Sequence, residues 1–243
     1  MLRLSGDELR NQMQYVRTFK KKIQYNQEFP LNAVLCEFYG ILMGDGCISA
    51  YITADKIKRQ DTVISGDKRY EEQYYLYIKM ILEKNFGVNS HVKKYERNNS
   101  IHLIIRNKQF SHFLIRQGFP VGEKYAHLTV PEQFINLEWH MLKYLIRGLF
   151  DTDGTIFARK DEGYRYPHLG VSTKSSKLRN QLYEILRNRD YPVCFNGTDN
   201  LFLKGIKNVN RWMEDIGSSN PKHLFKYKYW KTHGILPARL LGG

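Results

Sequence analysis

Two nine-residue stretches of this 243-residue chain are near copies of each other: Phe38-Tyr39-Gly40-Ile41-Leu42-Met43-Gly44-Asp45-Gly46 and Ile146-Arg147-Gly148-Leu149-Phe150-Asp151-Thr152-Asp153-Gly154. In each, an apolar run with small residues four apart ends in Asp-Gly, which predicts a helix stopping at a left-handed glycine, with Asp45 or Asp153 as its last residue. Gly40 with Gly44, and Gly148 with Thr152, put two small residues on one helical face, so two backbones can approach closely there. The natural partner of each helix is the other. Paired side by side in parallel, they bring Asp45 and Asp153 together at the negative ends of two helix dipoles, where two anions repel. A bound divalent cation would remove that cost.

The elements after each motif repeat as well. After the first, Ile48, Ala50 and Ile52 alternate with Ser49, Tyr51 and Thr53 in the period of a half-exposed strand. A second strand near Thr62 to Ser65 leads into a helix rich in Tyr, Leu and Ile that ends at Gly87. His91, Lys93, Tyr95 and Arg97 alternate along a third strand, and Ile101, Leu103 and Ile105 along a fourth. A helix from about Lys108 to Gln117 follows. The second half gives the same order: strands through Thr155 to Arg159 and His168 to Ser172, a helix from Ser175 to Arg189, a hairpin from Val193 to Ile206, and a helix from Asn208 to Ile216. Ser5-Gly6-Asp7-Glu8 has the form of a capping box opening an amphipathic helix to about Tyr25. The domain reading is therefore a helical extension over 1–30, a first half over 31–125, a linker over 126–143 containing Pro131, and a second half over 144–243.

The paired nonapeptides resemble those of the LAGLIDADG homing endonucleases in their single-chain, two-motif form. The motifs lie 108 residues apart (153 − 45), and the resemblance spans roughly residues 32 to 235. It implies an α+β fold of two pseudo-symmetric αββαββα halves, whose antiparallel sheets form a DNA-binding saddle and which join at a paired-helix interface. It further implies a metal-dependent DNA endonuclease that hydrolyses both strands at a long pseudo-palindromic site, as a monomer. Asp45 and Asp153 correspond to the metal-binding acids, with the carbonyls of Gly44 and Thr152 as further ligand candidates. Mg²⁺ or Mn²⁺ is the expected cofactor. Met43 stands where the family usually has a second Asp, and Arg147 where it has a small residue. A basic residue follows each half's last helix in the family; here the counterparts are Lys124, 79 residues after Asp45 (124 − 45), and Lys222, 69 after Asp153 (222 − 153). Lys68 and Lys174 are rival candidates.

A formal net charge of +14 and a pI near 9.6 call for an anionic partner. Basic residues alternate with aromatics in several stretches, which favours nucleic acid. The polar strand faces supply the expected contacts to double-stranded DNA: Ser49, Tyr51, Thr53, His91, Lys93, Arg97, Arg159, His168, Ser172 and Lys204. Lys226 and Lys228, in the Lys222–Lys231 run, are expected at phosphates. Two noncatalytic readings stay open on the same scaffold, an RNA-binding intron maturase and a DNA-binding regulator. Three scattered cysteines give no zinc site and fit a reducing compartment. With no membrane-length apolar run and no signal-like N-terminus, the expectation is a soluble intracellular protein of a prokaryotic cytoplasm or an organelle such as a mitochondrion or chloroplast.

Overall fold

The computed structural model describes residues 27–237 apart from Ile57 and Ala126, so the helix expected before Tyr25 lies outside the described residues. The first half runs α1 (Ala33–Asp45), β1 (Gly46–Ile52), β2 (Lys58–Asp67), α2 (Lys68–Phe86), β3 (His91–Tyr95), β4 (Ser100–Ile105) and α3 (Lys108–Arg116). A short helix, α4 (Glu132–Ile135), lies in the connection. The second half repeats the order as α5 (Trp139–Asp153), β5 (Gly154–Phe157), β6 (His168–Ser172), α6 (Ser176–Arg187), β7 (Cys194–Asn196), β8 (Asn200–Lys204) and α7 (Ile206–Asp215), and α8 (Pro221–His233) follows. The halves form two four-stranded antiparallel sheets of matching order, β1-β2-β4-β3 and β5-β6-β8-β7. One apolar core runs from Phe29, wedged against Phe110 and Phe113, through both halves to Leu236.

Nine consecutive residues of α1, Leu35 to Met43, are buried, so this helix has no solvent face to orient it. What orients it is the contact with α5. A Cβ at Gly40 would strike the Leu145 carbonyl and come within 2.9 Å of the Leu149 nitrogen; a Cβ at Gly148 would strike the Glu37 carbonyl and come within 2.8 Å of the Ile41 nitrogen. Residues 145 and 149 stand 108 positions after 37 and 41, the same offset that separates the motifs. The helices are therefore parallel, in register, and close enough for backbone to touch backbone.

Several expectations need correction. Gly46 and Gly154 are extended (φ −88° and −97°), so the motif helices do not stop at left-handed residues. Glycine is required there for space: a Cβ at Gly46 would collide with Leu42, and one at Gly154 with Phe150, because each strand folds straight back over its own helix's last turn. The second motif helix begins at Trp139, ahead of the anticipated 144. Strand β2 is longer than expected because its polar residues are buried and satisfied, Thr62 by Ser111 at 2.8 Å and Asp61 by Tyr51 at 2.8 Å. Strand β5 ends at Phe157, short of Arg159.

Arg147 is tolerated in a tight interface because the other helix supplies its counterion. Its guanidinium donates to buried Glu37 and lies 4.3 Å from the Tyr144 ring, while the Tyr77 hydroxyl donates to both Glu37 oxygens at 3.2 Å. Removing one partner of a buried pair strands the other charge and costs about 3–5 kcal/mol. Glu37→Ala is expected to destabilise the protein by that order in urea unfolding, whereas Glu37→Leu combined with Arg147→Leu should recover most of the loss.

Candidate active site and nucleic-acid interface

At the ends of α1 and α5, Asp45 and Asp153 line one cleft of about 700 Å³, together with Gly44, Gly46, Ser65, Lys124, Ser172, Lys174 and Asp199. Gly44 lacks a side chain because Thr152 of the facing helix fills that space, and the Asp153 carboxyl carbon would lie 3.4 Å from a Cβ there. Burial, then the Asp153 charge, push the Asp45 carboxyl up to about 7 despite Lys124 and Lys222 nearby. Burial likewise raises Asp153 to about 6, with Lys124 opposing. The expected crowding of two anions at two helix C-termini is present.

Lys124 arrives by a specific route. After α3 the chain turns at Gly122 (φ +82°), Val121 pairs parallel with Ile48, and the Gly122 N–H donates to the Ile48 carbonyl at 2.8 Å. The Lys124 ammonium then donates to the carbonyls of Leu42 at 3.2 Å, Gly46 at 2.7 Å, and Gly44. An ammonium has three N–H donors, so all are committed to the last turn of α1 and the start of β1. Lys124 thus sits beside both acids with its donors on backbone carbonyls, and the Gly44 carbonyl, expected to ligate a metal, accepts from it with one of its two lone pairs. The Thr152 hydroxyl bonds back to the carbonyls of Gly148 and Leu149 at 3.1 and 3.0 Å.

Lys222 does not repeat the contacts of Lys124, although its charge also acts on Asp45. It donates to Glu71 of α2 at 2.7 Å and lines a separate groove between α2 and α8. The carbonyl of Asp151 instead receives the Asn220 amide at 2.9 Å, and the Asp151 carboxylate holds the turn before α8 through Ser218 and the Ser219 N–H. Besides Lys124, the rival Lys174 lines the cleft with Asp153, exposed, its Nζ 5.6 Å from the Tyr125 ring. Lys68 pairs with Glu96 and belongs to the α2–α8 groove.

Strand register assigns the open faces of the sheets, because directly paired residues point the same way. Ser49 pairs with Asp61, Tyr51 with Arg59, and His102 with both Ser65 and Lys93, while His91 pairs with Ile104. Ser49, Tyr51, His91 and Lys93 therefore share one open face. Arg59, Ser65 and His102 belong to it too, and the sequence reading missed them; the alternation of His102 with Ile101 and Leu103 was the available signal. In the other sheet Thr155 pairs with Gly170 and Phe157 with His168; Phe202, Lys204 and Asn200 oppose Gly170, His168 and Ser172. Not all expected contacts are free. His168 is buried and bonds Glu162 at 3.1 Å. Lys226 is half-buried and donates to the Ile156 carbonyl at 3.0 Å, whereas Lys228 is exposed. Thr53 lies just past β1, Arg97 in the β3–β4 turn, and Arg159 in a loop where Asp161 engages it at 2.6 and 3.0 Å.

With this geometry in hand, comparison with known proteins is decisive for the fold. A model of the LAGLIDADG-like domain matches residues 141–191, from α5 through α6. I-DmoI in complex with DNA and Mn superposes with a TM-score of 0.57 at 13% identity, covering 78% of this chain and 99% of that one. The chain has the two-half LAGLIDADG fold. The LAGLIDADG meganuclease I-AabMI bound to uncleaved DNA is a further match, with a TM-score of 0.54, 12% identity, and coverage of 83% and 93%. Full-length DUF199/WhiA from Thermatoga maritima shares the fold as well, with a TM-score of 0.52 and 15% identity over 89% of this chain and 66% of that one. No curated protein sequence matches. No helix of the described residues is long and apolar enough to cross a membrane.

The raised acids fix the sign of a pH effect. A carboxyl whose folded pKa lies above its ordinary value is paid for by the fold once it ionises: stability is full below about pH 4, falls as pH rises, and stays low above about pH 7. In chelator, Asp45→Asn should therefore raise the melting temperature at pH 8, and the difference should vanish near pH 4. Melting curves at the two pH values check this.

Proposed function

We propose that the chain is a site-specific DNA endonuclease that uses a divalent cation, held by Asp45 and Asp153, to hydrolyse both strands of a long, imperfectly palindromic duplex site. The observation that carries this reading is the meeting of two half-buried carboxylates in one cleft between two open sheet faces. Fit to a cation is supported by the donor chemistry: carboxylates and carbonyls are the hard oxygen ligands that Mg²⁺ or Mn²⁺ takes along with retained waters. Desolvation raises the proton affinity of both acids, a cost that a bound cation would offset. No group of three or more His, Cys, Asp or Glu side chains suited to a metal occurs among the described residues, so phosphate oxygens and water would complete the coordination.

When bound, such an ion supplies positive charge at the scissile phosphate and lowers the pKa of its water. The chain's own groups would do the rest. Asp45 and Asp153 act ionised, and Lys124 holds the α1 terminus and favours both anions from a fixed position. Lys174 is the ammonium placed to offset phosphate charge in the cleft. Arg59, Lys93, His102 and Lys204 would track the duplex on either side. Because each half finds its twofold partner within the chain, the active form is a monomer.

Incubation with a plasmid library, with and without Mg²⁺, tests the reading. Discrete linear products that require Mg²⁺ are expected. Asp45→Asn and Asp153→Asn should each lower cleavage by about two orders of magnitude or more while leaving binding in place. Binding without cutting by the unaltered protein would favour the noncatalytic regulator, and preference for RNA over duplex would favour the maturase. Log affinity should fall with log salt with a slope of about 0.9 per neutralised phosphate.

A further inference from the structure

The two open sheet faces differ in chemistry. On the first sheet, register brings Tyr51, Arg59, Asp61, Lys93 and His102 to the open face, with Tyr51 already bonded to Asp61 at 2.8 Å, around a half-buried aliphatic pair, Val63 and Ile104, shorter than the tyrosine, arginine and lysine about them. On the second sheet the position of Ile104 is taken by Phe202, and Phe157 stands beside it, with ring centroids 5.1 Å apart. The core does not account for these rings. It is filled from the opposite face by Ile156, Leu169, Val171, Leu201 and Leu203, all buried, whereas Phe157 and Phe202 are only half-buried.

Gly170 explains how the rings sit. It pairs directly with Phe202 and lies diagonal to Phe157, whose own partner is His168, and a Cβ on it would come within 3.0 Å of the Phe202 ring and 3.4 Å of the Phe157 ring. Both rings therefore lean over a strand that gives them room. The pair forms an apolar patch bordered by His168, whose ring lies 5.4 Å from that of Phe157, and by Thr155, Asn200 and Lys204, on a face continuous with the cleft, since β5 starts immediately after Asp153.

From this we infer that the second sheet reads its half-site by apolar contact with thymine methyl groups, through Phe157 and Phe202, while the first sheet reads chiefly by hydrogen bonds. The inference rests on the duplex-reading role proposed above. The C5-methyl of thymine is the apolar feature of the major-groove edge, and phenylalanine is among the side chains that suit it. A net charge of +14 and the adjacent Lys204 suit the phosphates on either side of such a contact. Phe157 stands four residues beyond Asp153, ~13 Å along an extended strand, which corresponds to about four base-pair steps from the centre of the site.

The test uses the full chain without divalent metal. Duplexes that bind are selected from a randomised library, and thymine in the winning sequence is replaced by uracil, one half-site at a time, which removes only the methyl group. His102→Ala marks the half-site under the first sheet by relaxing preference there. The expected result is thymine in the other half-site about four steps from the centre. Uracil there should weaken binding by about four-fold per methyl, with little effect in the first half-site. In Phe157→Leu and Phe202→Ala proteins, confirmed folded by their melting curves, the uracil penalty should shrink. Equal uracil penalties in both half-sites, or no penalty in the second, would overturn the inference while leaving duplex recognition intact, and the uracil arm needs no altered protein. Failure to select any duplex would overturn the proposed function, and this inference with it.

Discussion

A Cβ at Gly40 or Gly148 would occupy the place of a carbonyl oxygen on the facing helix, and that exclusion sets the distance between the two halves. Because the contact is made by backbone, it also sets the register: α1 and α5 can slide neither along nor around each other without a side chain entering the gap. Equal register puts the last residues of both helices at the same level, and those residues are Asp45 and Asp153. The sheets begin one residue later, so the same contact also decides where each open face starts relative to the acids. Stability works against the arrangement. Two half-buried carboxylates at two negative helix ends are unfavourable for a metal-free protein, and the raised proton affinity of both follows first from their desolvation. Such strain at a site is characteristic of groups kept for chemistry.

Duplication gave the halves one topology, but each solves its local problems with different residues. The end of α1 is capped by the Lys124 ammonium; at α5 the Asn220 amide serves the Asp151 carbonyl, and the Asp151 carboxylate fastens the turn before α8. Met43, at the position equivalent to Asp151, is simply buried in the core. The pair Glu37 and Arg147 is likewise found in one orientation only, linking α1 of the first half to α5 of the second. A chain that carries both halves is free to diverge in this way, since neither half must also pair with a copy of itself.

The architecture was legible wherever one face of an element is buried and the other is not. Periods of two and 3.6 gave the strand and helix order of both halves, and the small-residue spacing gave the helix pair. Legibility failed where polar residues are buried and satisfied, as in β2, whose Gln60-Asp61-Thr62 breaks the apolar alternation yet lies inside a strand. It failed at Gly46 and Gly154 because sequence cannot distinguish a glycine needed for its φ from one needed for the space its missing side chain leaves. At the site, the acids were readable and the contacts of the lysines were not. Counting residues from each acid led to Lys124 and Lys222, whose charges both act on Asp45, but distance along the chain does not say that Lys222 pairs with Glu71 or that Lys174 lines the cleft. Exposure was also invisible: His168 and Lys226 look like free bases in sequence, and each is engaged by a neighbour.

If Asp45 and Asp153 together hold a divalent cation against a DNA phosphate, as proposed, a crystal structure of the protein with a cognate duplex and Mn²⁺ will locate that ion by anomalous scattering. Anomalous density is expected within about 2.0–2.6 Å of an oxygen of each carboxylate and in contact with the backbone of the DNA. Carboxylates left without metal in a complex that has cut its DNA, or metal density away from the ends of α1 and α5, would contradict the proposal.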